Sequence, residues 1–239
     1  MKNKMIKEKI YKSANVVNNN ILPGDLKRSP DDYFSKTLIF IDAGFLSKLS
    51  KYFGGGKYLK YDLIQFCRNL AKKQNFICEH IYYYNSPPFQ SNNPSKEESE
   101  RYRRYEKFKN ILSKNKIISV REGRCQRLKH NGDFVFGQKG VDALIIIDLI
   151  SIPLEHKEIN KIILIANDSD FVPVINKLKK LGIEVVLYTY YSKKRESSFS
   201  RSNELLQIVS RYVQLTKKDF DDAELKVQQN NEQEVKNEK

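Results

Sequence analysis

The chain has 239 residues, enough for one substantial core and too few for two comfortable domains. Hydrophobic residues make up 40% and charged residues 30%, and 43 Lys and Arg against 29 Asp and Glu give a formal charge of +14. This balance excludes a wholly disordered chain and favours encounter with polyanions, without saying anything of sequence preference. No run approaches the roughly 20 apolar residues of a membrane span. The N-terminal MKNKMIKEKIYKSANVV lacks a continuous apolar core, so no secretory signal is expected. Cys67, Cys78 and Cys125 form no CxxC pair, which argues against thiolate zinc and a disulfide framework and fits a reducing cytoplasm.

Residues 1–35 are polar, with turn signals at Pro23-Gly24 and Ser29-Pro30, and read as a flexible arm. Thr37 to Ile41 is a short continuous apolar run, the pattern of a strand covered on both faces. Gly54 to Gly56 is read as part of the loop after it. Asp62 caps a helix whose stripe is Leu63, Phe66, Cys67, Leu70 and Ala71. Phe76 to Tyr84 is a second strand, and Glu97 to Lys114 a helix with Tyr102, Tyr105, Phe108 and Leu112 along one side. Ile117 to Val120 is a third strand. Arg124 to Phe136 is a hairpin turning at Asn131-Gly132. Val141 to Ile150 is a very apolar helix, Lys161 to Ala166 a fourth strand, and Phe171 to Leu181 a helix stopped at Gly182. Ile183 to Tyr190 is a fifth strand, Ser202 to Val209 a helix, and Tyr212 to Leu215 a last strand. Residues 217–239 read as a disordered charged tail, leaving 36–216 as the folded domain. Strands alternating with helices predict an α/β fold: three layers, α/β/α, around a mainly parallel sheet.

In open parallel sheets, ligands bind beyond the carboxyl ends of the strands. Asp42 follows the first strand, and Asp168 and Asp170 follow the fourth. If those strands are neighbours, three carboxylates meet, and such a group is stable only with protons or cations. Oxygen donors of this kind suit Mg²⁺ or Mn²⁺. Each Asp also has an ordinary reading, with Asp170 placed to cap the next helix. Asp142 opens the apolar helix, where it joins the site or is a first-turn acid favoured by the dipole. Asp148 lies among Ile and Leu in ALIIIDLI and must face a polar site or a base; an outer supporting role, orienting a ligand or binding Lys139, is the expectation. Lys139, Lys193, Lys194, Arg195 and Arg201 are the candidate substrate cations, with Arg101, Arg103, Arg104, Arg121, Arg124, Arg127 and Lys129 as further phosphate contacts. Tyr188, Tyr190 and Tyr191 are candidates for base stacking, against their commoner use in packing. His80, His130 and His156 form no plausible pair with a nucleophile, which speaks against a triad hydrolase or a His-dependent ribonuclease.

FIDAGFL (Phe40 to Leu46), QKGVDALIIIDL (Gln138 to Leu149) and NDSDFVPVI (Asn167 to Ile175) together resemble the NYN domain, a branch of the PIN-like ribonuclease superfamily that includes LabA-like and DUF88 bacterial proteins. The resemblance spans roughly Thr37 to Leu215. It implies a Rossmann-like PIN architecture and Mg²⁺- or Mn²⁺-dependent cleavage of RNA leaving a 5′-phosphate and a 3′-hydroxyl. It makes Asp42, Asp142, Asp168 and Asp170 the metal-binding and catalytic acids, and matches Asp148 to the second acid of the KGVD helix. Three positions depart from the pattern: Phe45 where the family has Asn, Ala166-Asn167-Asp168 where it has Ser-Gly-Asp, and Ser210 where it often has Asp. The expected partner is RNA, single-stranded in preference, with DNA and a homo-oligomer left open. The rival reading is a catalytically weak or inactive RNA-binding module of the same fold, supported by Phe45. A dehalogenase-like phosphatase would need a second acid two residues after Asp42, and Gly44 stands there.

Overall fold

The computed structural model describes residues 34–130, 133–192 and 199–225. The arm expected over 1–35, all but its last two residues, lies outside them, as do Asn131-Gly132, Lys193 to Ser198 and 226–239. The strands are β1 (Ser35–Asp42), β2 (Phe76–Asn85), β3 (Ile118–Glu122), β4 (Arg124–His130), β5 (Asp133–Lys139), β6 (Lys161–Ile165), β7 (Glu184–Thr189) and β8 (Arg211–Gln214). The helices are α1 (Ala43–Phe53), α2 (Leu63–Lys73), α3 (Lys96–Ser113), α4 (Val141–Glu155), α5 (Val172–Lys180), α6 (Asn203–Ile208) and α7 (Lys217–Asp221), with a 3₁₀ turn at Ser169–Phe171 before α5.

Six strands form one sheet in the order β3-β2-β1-β6-β7-β8, with every neighbouring pair parallel. The three-layer α/β reading holds. Parallel sheets need cover on both faces, and β1 shows it: Ile39 and Ile41 enter one core, Leu38 and Phe40 the other, and all four are essentially inaccessible. The first core is built with α1, α2 and the end of α3, the second with α4, α5 and α6. The chain builds outward from β1 to β3, then returns to the other side of β1 with β6. The sheet therefore has a switch point between β1 and β6, where a crevice opens beyond the strand ends.

Several elements differ from expectation. Helix α1, read from sequence as loop, begins directly after Asp42 and buries Phe45, Leu46 and Leu49. Helix α4 runs five residues further than expected, through Pro153. Of the expected apolar side of α3, only Leu112 is buried; Phe108 is mostly exposed and rests edge-on against Tyr83. The helix is kept by a capping box between Ser95 and Glu98. The charged tail does not begin at residue 217. Helix α7 follows there, Phe220 and Ala223 are buried in the first core, and Lys73 pairs with Asp219 at 2.6 Å. Two apolar residues in a polar stretch suffice because their pocket is already made by α1 and α2. Strands β4 and β5 form the expected hairpin as a separate two-stranded sheet, with His130 opposite Asp133.

Candidate active site

Asp42 ends β1 and caps α1, its Oδ1 accepting from the backbone N–H of Gly44 at 2.9 Å and of Phe45 at 3.2 Å. Both bonds use the same oxygen, so the cap and an outward role are compatible. Burial pushes the Asp42 carboxyl up to about 6, with the charges of Asp142 and Asp168 adding to the rise against the lowering effect of the two backbone bonds. Gly44 leaves room for a close approach: a Cβ there would stand 3.0 Å from Gln138 Oε1 and 3.1 Å from Asp42 Oδ1. Gln138, on β5, thus reaches the end of β1, and its Nε2 donates to Asn85 Oδ1 at the end of β2 at 3.3 Å. Sequence reading passed over Gln138 as a site residue. Its only signal was its place in the QKGVD motif.

Beyond β6, the expected roles of two acids exchange. Asp168 makes the cap, accepting the N–H of Asp170 at 2.9 Å, while Asp170 is the first-turn acid of the 3₁₀ turn. Asn167 ties this corner together: Thr189 at the end of β7 donates to its Oδ1 at 2.7 Å, and its Nδ2 donates to the carbonyl of Ser200 at 3.1 Å. The side chain that departs from the family pattern therefore braces the loop after β6 against the segment after β7. Asp142 lies in the first turn of α4, behind Gly140 at φ 82°. Burial raises its carboxyl, and the charges of Asp168 and Asp170 raise it further. Four carboxylates from three segments thus lie in one another's field.

A cleft of ≈ 750 Å³ opens at the switch point, lined among others by Asp42, Lys48, Asn167, Asp168, Phe199 and Arg201. Asp142 and Asp170 do not line it; the charge of Asp142 acts on Asp42 in its wall, and the Asp170 N–H donates to Asp168 there. Among the described residues, no three His, Cys, Asp or Glu side chains are gathered closely enough to hold one ion. The donor chemistry nonetheless fits a hard divalent cation. The acids are oxygen donors whose mutual repulsion a cation would relieve, and Mg²⁺ in particular takes few carboxylates and completes its shell with water.

Cations share this cleft. Lys48, on α1, reaches over the ring of Phe199 at 5.2 Å, and Arg201 lies 5.2 Å over Tyr191. Lys48 was missed because α1 was missed; on a helix it falls one turn after Gly44, on the same face. Lys139, the other described candidate, is exposed on β5 opposite Arg124 and outside the cleft. Lys193, Lys194 and Arg195 lie outside the described residues.

Asp148 is held elsewhere. Its Oδ2 accepts from the hydroxyl of buried Tyr84 at 2.7 Å and faces Arg121 Nε at 3.2 Å. Its partner is Arg121 rather than Lys139. Phe45 is buried and meets Phe199 edge-on at 6.3 Å, so an apolar contact occupies the position where the family pattern has Asn. Ser210 is a strand-edge brace, its N–H donating to the Val185 carbonyl at 3.0 Å and its Oγ accepting the Val185 N–H at 3.3 Å. The stacking expectation for Tyr188 fails: its ring is buried and its hydroxyl donates to the Leu70 carbonyl at 3.0 Å. Tyr190 packs among Tyr52, Phe53 and Phe199.

Comparison with known proteins follows the same outline. The family profile described as NYN domain matches residues 36–213. A solved structure, a protein of unknown function from Vibrio parahaemolyticus RIMD 2210633, is similar with a TM-score of 0.50 and 19% identity, covering 81% of this chain and 98% of that one. At that identity the likeness speaks for the fold. No curated protein matches the chain.

Proposed function

The chain belongs to the NYN domain family of PIN-like nucleases, and from that premise we propose that it is a metal-dependent ribonuclease cleaving RNA phosphodiester bonds at the end of β1 and β6. The observation that carries this reading is the electrostatic coupling of Asp42, Asp142, Asp168 and Asp170 beside a cleft that also holds Lys48 and Arg201. Repelling acids cost stability unless a cation joins them, and a cleft with both signs suits a substrate that is itself an anion bound through a cation.

Asp42 and Asp168 would hold Mg²⁺ or Mn²⁺ from the cleft wall, with Asp142 and Asp170 supplying charge from behind. Such an ion neutralises charge building on phosphoryl oxygens and acidifies water near neutral pH. Lys48 and Arg201, which line the cleft, would take phosphates of the bound strand. Asp42 is fixed by the two N–H groups of α1, which limits the rotamer entropy lost on binding. Asn167 fixes the Asp168 loop in the same way through Thr189 and Ser200. Such hydrolysis leaves a 5′-phosphate and a 3′-hydroxyl.

A second reading, an RNA-binding module of the same fold with little turnover, rests on the apolar Phe45 packed in the cleft wall. One assay separates the two. Labelled single-stranded RNA is incubated with wild type or Asp168→Asn in Mn²⁺, Mg²⁺ or EDTA. Metal-dependent cutting by wild type, absent in the variant, is expected. RNA held but uncut by folded wild type in both metals would favour the binding module, with Phe45→Asn the first change to try.

A further inference from the structure

The hairpin β4–β5 begins at the active site and ends far from any core. Its base is pinned: the Gly123 N–H donates to the Asn85 carbonyl at 2.9 Å, and a Cβ on Gly123 would stand 2.7 Å from the Lys139 carbonyl. Opposed residues in an antiparallel pair share a face, and so do residues two apart along a strand. The register pairs Cys125 with Gln138, Arg127 with Phe136 and Lys129 with Phe134, which puts all six on one face. That face starts with Gln138, beside Gly44 and Asp42, and continues outward as aromatic and cation in alternation.

The rings are not core. Phe134 is 57% exposed and Phe136 48% exposed. Arg127 is layered between rings, 4.4 Å from the centroid of Phe134 and 4.8 Å from that of Phe89, and Phe89 in turn lies 5.4 Å from Phe136. The result is a row of aromatic rings and guanidinium on a two-stranded ribbon. An apolar protein partner would not explain the interleaved cations, and a duplex would offer backbone charge but no free base faces.

We propose that this face of the hairpin is a stacking platform for single-stranded RNA, leading the strand away from the cleft, with bases on Phe134 and Phe136 and phosphates on Arg127 and Lys129. The inference rests on the nuclease reading for its substrate, but its test does not. Stacking on an exposed ring is sequence-tolerant and is worth about 5- to 150-fold in affinity per base.

Binding of a fluorescein-labelled single-stranded RNA of about 12 nucleotides, and of its duplex, is followed by anisotropy in EDTA. Proteins are wild type and the double variant Phe134→Leu/Phe136→Leu, which keeps the side chains apolar and removes the π faces. The double variant is expected to lose about tenfold or more in single-strand affinity, with duplex binding little changed and an unchanged thermal melt. Single-strand affinity equal to wild type in the double variant overturns the platform. So does a wild-type dimer that the double variant splits into monomers of unaltered affinity, which would make the face a contact between copies. Should the double variant misfold, Phe134→Leu alone, at a ring 57% exposed, is read by the same arms. Hairpin-dependent binding without cleavage in Mn²⁺ or Mg²⁺ would sink the nuclease reading and leave the platform standing; normal cleavage with hairpin-independent binding would do the reverse.

Discussion

Asp42 serves the fold and the site with one carboxylate. Its Oδ1 caps α1, while burial and the charges of Asp142 and Asp168 hold its carboxyl at about 6, above the ordinary value of 3.8. For an acid raised on folding, the ionised form is penalised in the native state. The penalty, on the order of 3 kcal/mol, is complete above pH 6 and disappears as pH falls through 6 towards 4. Asp42→Asn, which still caps, is therefore expected to melt a few degrees higher than wild type at pH 7.5 in EDTA, with the advantage gone near pH 3.5. Melts across that range check it; an advantage independent of pH would mean that the carboxylate is not strained. Asp148 makes the contrasting case. Asp148→Ala strands the buried Tyr84 hydroxyl and the Arg121 guanidinium, and is expected to cost about 1–3 kcal/mol in chemical denaturation while RNA cleavage per folded molecule persists. Loss of cleavage with little loss of stability would move Asp148 into the site.

At the scale of elements, legibility followed burial. The alternation of strands and helices, the stripe on α2 and the two-faced apolar run of β1 are written in periodicity, because one side of each must meet a core. Helix α1 escaped that reading. The stretch up to Gly54 to Gly56 was read as loop, although Phe45, Leu46 and Leu49 have helical spacing and Asp42 caps them. Missing α1 also hid Lys48, the cation on the same face as Gly44. Helix α7 failed for a different reason. Its composition is polar, and only the pocket between α1 and α2 makes Phe220 and Ala223 core residues.

At the scale of the molecule, that pocket sets where the domain ends. Ending the chain after Thr216 removes Phe220, the Lys73–Asp219 pair and the bond from the Asp62 N–H to the Ala223 carbonyl at 2.8 Å. Losing one buried Phe costs about 3–5 kcal/mol. The truncated protein is expected to melt about 10 °C lower; a melt within 2 °C of full length, roughly the size of a 1 kcal/mol effect, would show the segment to be dispensable. The sequence alone determined the class of fold and the surplus of positive charge, and it singled out four candidate acids, because periodicity, motif spacing and composition are local properties. Tertiary structure decided the rest. It set β1 beside β6, so that Asp42 and Asp168 face one cleft, and it turned Asp148 towards Tyr84 and Arg121. It also brought Gln138 from a distant hairpin against Gly44. These are contacts between residues far apart in the chain, and only the packing of the sheet and its helices fixes which of them meet.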